Sequence, residues 1–214
     1  MSKLRVYGKN ASKEVLGKEN IRRVYLSKNF NDKEIMQMIE NYPVKYLEKK
    51  ILDSMEKNNQ GIIIEIDDFK YDSLDEIEKE DVIIMLDHLE DPHNFGAIIR
   101  SVEAAGYKSI IIPKDRSVNV NSTVIKTSVG TIEKVKIARV SNLVTTIKEL
   151  KKKGYWIIGT DMIGDDYRKI DYTGKIVIVI GNEGKGMSRL VKENCDFIAS
   201  IPMDGTVNSL NASV

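Results

Sequence analysis

From Val82 onward one pattern recurs: a short, almost wholly apolar run rich in Ile and Val, then a turn carrying glycine or asparagine, then a segment with apolar residues at helical spacing. The runs at 82–86, 109–112, 155–159, 176–180 and 197–201 are strand-sized. Helical spacing falls at 95–105, 121–128 and 143–152, with a short stretch near 188–193. Strands apolar on both faces need cover on both, so the pattern calls for a mostly parallel sheet with helices on either side. In such sheets ligands bind at the C-terminal strand ends, where backbone N–H groups and helix N-termini gather.

Three of these edges carry more than a turn. After the first run comes Asp91-Pro-His-Asn-Phe-Gly-Ala-Ile-Ile-Arg100. After the fourth comes Gly181-Asn-Glu-Gly-Lys-Gly186, and after the fifth Pro202-Met-Asp-Gly-Thr-Val-Asn-Ser-Leu-Asn-Ala-Ser-Val214. Each puts small and polar residues where a parallel sheet would bind a ligand. Neither Gly-x-Gly-x-x-Gly nor Gly-x-x-x-x-Gly-Lys-Ser/Thr occurs, so neither common nucleotide-binding signature applies.

Residues 1–70 read as a smaller α/β unit. Strands are expected at 22–27 and 61–66, with helical spacing at 32–42 and 46–57 and Met36 and Met55 as core filler. Residues 71–81 are acidic and read as a linker or a short connecting helix, leaving 82–214 as the second domain. The net charge of +1 conceals a segregation: +5 over 1–57, −10 over 58–91 and +6 over 92–214. Two moderately basic bodies flanking an acidic junction suit a polyanion met through local patches. The lone Cys195 excludes an internal disulfide, and with His88 and His93 as the only histidines a structural zinc site is not expected. No apolar run nears the roughly 18–20 residues of a membrane span, and the N-terminus has no apolar signal core, so a cytoplasmic protein is expected.

In order and spacing, Asn94-x-Gly96-x-x-x-Arg100, Gly181-Asn182-Glu183-Gly184-x-Gly186 and Ile201-Pro-Met running into Asn208-Ser-Leu-Asn-Ala-Ser-Val214 resemble the three motifs of the SpoU (TrmH-type) RNA ribose 2'-O-methyltransferases of the SPOUT superfamily. The segment Val6-Tyr-Gly-Lys-Asn-Ala11 resembles the opening of that family's accessory domain, and Lys126-Thr-Ser-Val-Gly130 a further family segment, with Thr131 in place of its usual Ala. The resemblance implies a trefoil knot in the second domain and a first domain like small ribosomal-protein RNA-binding modules. It implies a homodimer, S-adenosylmethionine as cofactor with no metal, and 23S rRNA guanosine as the substrate. A tRNA substrate, or a non-catalytic RNA-binding or ribosome-assembly factor with the same fold, is the alternative. It also implies a further helix packed across the dimer after the last motif. The sequence reaches Val214 where that helix would begin; either it is cut short there or the protein lacks the helix, and the second case would bear on both dimerisation and cofactor binding.

Site roles follow from the same resemblance. Gly181, Ile201 and Leu210 would contact the cofactor, joined by Asn182, Gly184 and Thr160-Asp161 along the pocket. Arg100 would assist loss of the 2'-hydroxyl proton. With a pKa above about 12 it is a poor base unless strongly perturbed, so a fixed cation stabilising the developing alkoxide or clamping a phosphate is the other role open to it. Asn94 would orient Arg100 or the ribose, or cap its helix. Glu183 would pair with a cation or donor, Arg100 among the candidates. Ser209 and Asn211 would hold substrate or cofactor near the methyl group, or cap a helix, as Asn208 also could. His93 is read as a packing or hydrogen-bonding residue. For RNA contact the candidates are Lys9, Asn10, Arg22, Lys114 and Arg116, with Lys13 and Arg23 beside them.

Overall fold

The computed structural model describes residues 4–17, 21–206 and 209–214. They form two compact units, one holding residues up to Lys70 together with Val120–Gly130, the other Tyr71–Asn119 and Thr131–Val214.

The first unit is a four-stranded mixed sheet with short helices. In chain order it runs β1 (Leu4–Tyr7), α1 (Lys9–Val15), β2 (Ile21–Ser27), α2 (Lys33–Met38), β3 (Val44–Leu47), α3 (Lys49–Met55) and β4 (Ile62–Ile66). The strands lie in the order β1-β4-β2-β3, with β2 and β3 parallel and the other pairs antiparallel. Asp32 caps α2 by accepting the Ile35 N–H at 3.3 Å, while Ile35 and Ile39 bury the inner face. The helix expected over 46–57 starts only at Lys49. Residues 44–47 pair with β2 instead, and Leu47 packs against the buried Tyr25, Leu52 and Ile63. Sheet pairing and burial outweigh local helical spacing here.

The second unit continues with α4 (Leu74–Ile77), β5 (Val82–Leu86), α5 (Pro92–Ala104), β6 (Ser109–Pro113), α6 (Ser122–Thr127), β7 (Lys136–Val140), α7 (Leu143–Lys152), β8 (Tyr155–Asp166), β9 (Lys175–Ile180), α8 (Arg189–Glu193) and β10 (Phe197–Ser200). Of these, α6 groups with the first unit. Asn121 caps it through bonds of 3.0 Å from the N–H groups of Thr123 and Val124, and the Lys126 ammonium sits 5.6 Å from the centre of the Tyr7 ring. Residues Val120–Gly130 thus group with the first unit rather than with the remainder of 82–214. Residues 71–81 carry a short helix, α4. Asp72 both donates to and accepts from the backbone of Ile137, and Ile77 on α4 is wholly buried.

The second sheet is parallel throughout, in the order β10-β8-β9-β5-β6-β7. Side chains alternate cleanly: Ile83, Met85, Val177 and Val179 face the large core under α4, α7 and α8, whereas Ile176, Ile178 and Val82 pack with Ile158, Ile170 and Ala199. Strand β8 outruns its expected end at 159. Its pairing with β10 jumps from Gly159 to Asp165, which leaves residues 160–164 out of the ladder. No helix among the described residues is long and apolar enough to cross a membrane.

Cys195 follows α8 and packs against this core. Burial pushes its thiol up to about 11, from an ordinary value of 9.0. Only the thiolate alkylates, so at pH 8 native protein should react with iodoacetamide about a hundredfold more slowly than protein unfolded in denaturant. Equal rates would show that Cys195 is open to water.

Candidate active site

Because the sheet is parallel, the loops after β5, β6, β8, β9 and β10 leave from one edge. The strand order reverses at β5: the chain builds outward through β6 and β7, then returns to place β8, β9 and β10 on the other side. At such a reversal successive loops part and open a crevice over the strand ends. The loops after β5 and β9 flank it.

The loop after β9 is a tight turn held on every side. Asn182 and Gly186 exchange backbone hydrogen bonds of 3.0 and 2.8 Å. The Asn182 Oδ1 accepts the N–H groups of Gly184 at 2.9 Å and Lys185 at 3.2 Å, and its Nδ2 donates to the His88 carbonyl at 2.8 Å. Gly181 runs so close beneath the returning chain that a Cβ there would lie 2.3 Å from the Met187 nitrogen. Gly184 has room, its nearest neighbour standing 3.7 Å from such a Cβ. Asn182 thus shapes the loop with its side chain, and Gly181 permits the close approach.

The end of β5 clamps this loop at both ends. His88, with φ of 58°, offers its carbonyl to Asn182. Asp87, 1 % exposed, accepts the Ser188 N–H at 2.5 Å and lies 2.5 Å from the His88 Nδ1. A buried carboxylate is costly unless hydrogen-bonded, and these two partners meet that need. Sequence reasoning passed over Asp87 and His88. The available signal was a carboxylate directly continuing a fully apolar strand.

Pro92 opens α5 and Asp91 caps it, accepting the His93 N–H at 2.8 Å. Asn94 is therefore not the cap. Its amide donates to Glu183 Oε1 at 2.8 Å and ties the first turn of α5 to the loop after β9. Glu183 is thus engaged by Asn94 rather than by Arg100. Arg100 stands six residues on, about 240° round the helix at roughly 100° per residue, so Asn94 points inward and Arg100 outward. Asn94 makes no hydrogen bond to Arg100 among the described residues. Among the described residues Arg100 has no hydrogen bond or ion pair, and its neighbour His93 is likewise exposed. Truncating Asn94 and Glu183 to alanine, singly and together, should show a coupling of about 1 kcal/mol in denaturant unfolding. Strict additivity would mean the bond does not hold the loops.

Other expected residues lie along the same edge with differing freedom. The Thr160 hydroxyl is tied to the Val179 carbonyl at 3.0 Å, and Asp161 pairs with Lys192 at 2.8 Å. Burial pushes the Asp161 carboxyl up, but the Lys192 ammonium and the backbone N–H of Ile163 outweigh it and hold the group below its ordinary value. Lys114 and Arg116, beyond β6, are exposed and have no side-chain ion pair among the described residues. Beyond β10, Ile201, Ser209, Leu210 and Asn211 are all exposed in irregular chain. Asn211 Oδ1 accepts the Ser213 N–H at 2.9 Å, making a turn rather than a helix cap. Asn208 lies outside the described residues. The first two motif segments are thus brought together, whereas among the described residues the third keeps its hydrogen bonds to itself. In the first unit Arg22 is paired with Asp67 and Lys13 with Glu34, while Asn10 is exposed and Lys9 lies 3.2 Å from Asp32.

A parallel sheet whose order reverses beside two interlocked loops defines an α/β ligand-binding domain, here carried with a smaller α/β unit. Residues 81–214 match the SpoU rRNA Methylase family, and residues 5–72 match the family described as RNA 2'-O ribose methyltransferase substrate binding. The chain belongs to the SpoU (TrmH-type) methyltransferase family. It is 40% identical over 224 residues to the YacO protein of Bacillus subtilis (strain 168), assigned to the TrmH family of tRNA/rRNA methyltransferases, covering 98% of this chain and 90% of that one. A Staphylococcus aureus (strain COL) protein assigned to the same family shows the same identity and coverage. The SpoU methyltransferase AviRb from Streptomyces viridochromogenes, solved in complex with AdoMet, superposes with a TM-score of 0.79 at 23% identity over 99% of this chain and 85% of that one, a likeness of fold.

Proposed function

We propose that this chain is an S-adenosylmethionine-dependent methyltransferase acting on a ribose 2'-hydroxyl of RNA, with 23S rRNA guanosine as the favoured target. The observation that carries this reading is the Asn94–Glu183 bond, which locks the first two family segments together over the strand-order reversal. The residues fit the cofactor in kind. The close-packed turn at Gly181 leaves room for nothing larger than hydrogen at its Cα, which suits a segment that would meet the cofactor through its backbone. Ile201 and Leu210 are exposed apolar side chains on the loop beyond β10, suited to wall an adenine. Bound there, S-adenosylmethionine supplies an electrophilic methyl group on sulfur.

The protein's own task is then to orient the ribose and stabilise charge as its 2'-hydroxyl loses a proton. Arg100 points outward with no partner of its own among the described residues, so it is free to meet RNA phosphate or the developing alkoxide. Ser209 and Asn211 are assigned to positioning near the methyl group, and the first unit to capturing the RNA. An outward Arg100 suits a homodimer in which each subunit serves RNA held largely by the other. The exposed Trp156, its ring 5.8 Å from that of Phe197, and Ile163, 81 % exposed, supply apolar surface for such pairing. The trefoil knot and a cytoplasmic location complete the reading.

The test is methyl transfer from labelled S-adenosylmethionine to 23S rRNA fragments and to tRNA transcripts, followed by nuclease digestion and mass spectrometry. A 2'-O-methylguanosine in the rRNA alone would establish the full reading, and label in tRNA alone would move the substrate to tRNA. Cofactor binding without transfer to either RNA would favour an RNA-binding factor that has lost the reaction.

A further inference from the structure

The first unit contains a recess of about 940 Å³ that none of the methyl-transfer chemistry uses. Its walls come from the turn after β2, the start of α3 and the loop leading into β4, and their chemistry is unusual for a structural dimple. Amide side chains dominate. Asn29, Asn31 and Asn58 are exposed and make no hydrogen bond among the described residues. Gln60 uses only its Oε1, which accepts the Lys9 N–H at 2.8 Å.

These amides are presented by a rigid frame. Asn59, 2 % exposed, donates to Asp53 and to the Glu56 carbonyl and accepts the Gly61 N–H, each at 2.8 Å. That network holds Asn58 and Gln60 at φ of 59° and 52°, a conformation that needs such outside support. The ring of Phe30 is half-buried, packed so closely on the Gly61 backbone that a Cβ there would meet it at 3.1 Å, and the Lys9 ammonium stands 5.5 Å from its centre, so a base stacking there shares the ring with that cation. Lys49 and Lys57 stand on the same walls without an ion pair among the described residues.

We infer that this recess takes an unpaired nucleotide of the substrate RNA. Free amides pair with the donor and acceptor edges of a base, an aromatic ring stacks on it, and unpaired lysines meet its phosphates. A duplex would be met differently, through phosphates and 2'-hydroxyls across a groove, and would leave a concave, amide-lined wall unused. The inference rests on the reading of the chain as an RNA methyltransferase and adds that the first unit selects RNA by a base held out of its helix.

Fluorescence anisotropy of the full chain tests it, using a labelled RNA hairpin with one bulged nucleotide, the same stem fully paired, and the bulge made abasic. The intact bulge should bind about tenfold more tightly than either control, as for one stacked and hydrogen-bonded base. The variant Asn29→Ala/Asn31→Ala alters two exposed side chains with no role in the frame and should erase that preference, with an unchanged melting temperature. Lys57→Ala should weaken all three RNAs alike and reduce the salt dependence. Equal binding of bulged and abasic RNA, or a preference that survives the double variant, would overturn the assignment of this recess. Failure to bind any of the RNAs while S-adenosylmethionine still binds would overturn it too, and would strike the RNA-substrate reading itself.

Discussion

Replacing Arg100 by alanine is expected to lower methyl transfer at saturating cofactor by about a hundredfold or more, while S-adenosylmethionine affinity changes by less than about twofold. The reasoning is geometric. Arg100 is exposed on the outer face of α5, away from the Asn94–Glu183 bond, and no described residue depends on it for a hydrogen bond. Removing it should therefore leave the fold and the loop after β9 intact. In the proposed role its contribution arises only when negative charge grows on the ribose oxygen or a phosphate comes near, so the loss should fall on turnover. Isothermal titration with S-adenosylmethionine and single-turnover kinetics separate the two quantities. A parallel loss of cofactor affinity would make Arg100 a structural residue. Arg100→Lys discriminates further: a point charge should restore part of the rate if charge alone matters, and little if the planar two-pronged guanidinium is required.

The parallel sheet was legible because its strands advertise themselves. Val82–Leu86 and Lys175–Ile180 are runs of Ile and Val that alternate between two buried faces, and no other element accommodates them. The edge strands β7 and β1 were harder. Strand β7 reads Lys-Ile-Ala-Arg-Val, and its two cations and one alanine hide the pattern until pairing with β6 is seen. Strand β1 is similarly interrupted by Arg5, although Val6 is 1 % exposed. The grouping of α6 with the first unit was out of reach, since sequence order argues for the opposite assignment and only tertiary packing decides it.

At the candidate site the residue types were legible and their partners were not. Asn94 and Glu183 stand out by motif, but that each is the other's partner across 89 positions is a fact of topology. Local grammar misled on the cap: an Asn before a helical run suggests an N-cap, yet Pro92 starts the helix earlier and Asp91 takes that task. Asp87 has no motif to flag it. Its meaning depends on Ser188, 101 positions later, arriving with an unpaired N–H.

Gly181→Ala carries the other large expectation, and it concerns the loop rather than the reacting atoms. The added methyl would sit 2.3 Å from the Met187 nitrogen and 2.4 Å from the Gly186 carbonyl carbon, both of them backbone. Side chains can rotate away from such an intrusion, whereas backbone can relieve it only by moving the loop. The loop is in turn fixed by the paired Asn182 and Gly186, by the His88 carbonyl and by Asp87, so relief means breaking part of that network. Overpacking of this kind typically costs about 1–3 kcal/mol. The substitution should therefore lower the melting temperature by several degrees, on the order of 2–4 °C per kcal/mol for a chain of this length. S-adenosylmethionine affinity should fall by about a hundredfold, because the backbone proposed to hold the cofactor is the part displaced. Gly184→Ala is the stability control: its methyl meets nothing nearer than 3.7 Å, so it should melt with the unsubstituted protein. A Gly181→Ala protein that melts normally and still binds the cofactor would mean the loop yields freely and that its tight geometry does not form the pocket. Normal melting with binding lost would place the cofactor directly against Gly181, with the methyl group blocking it.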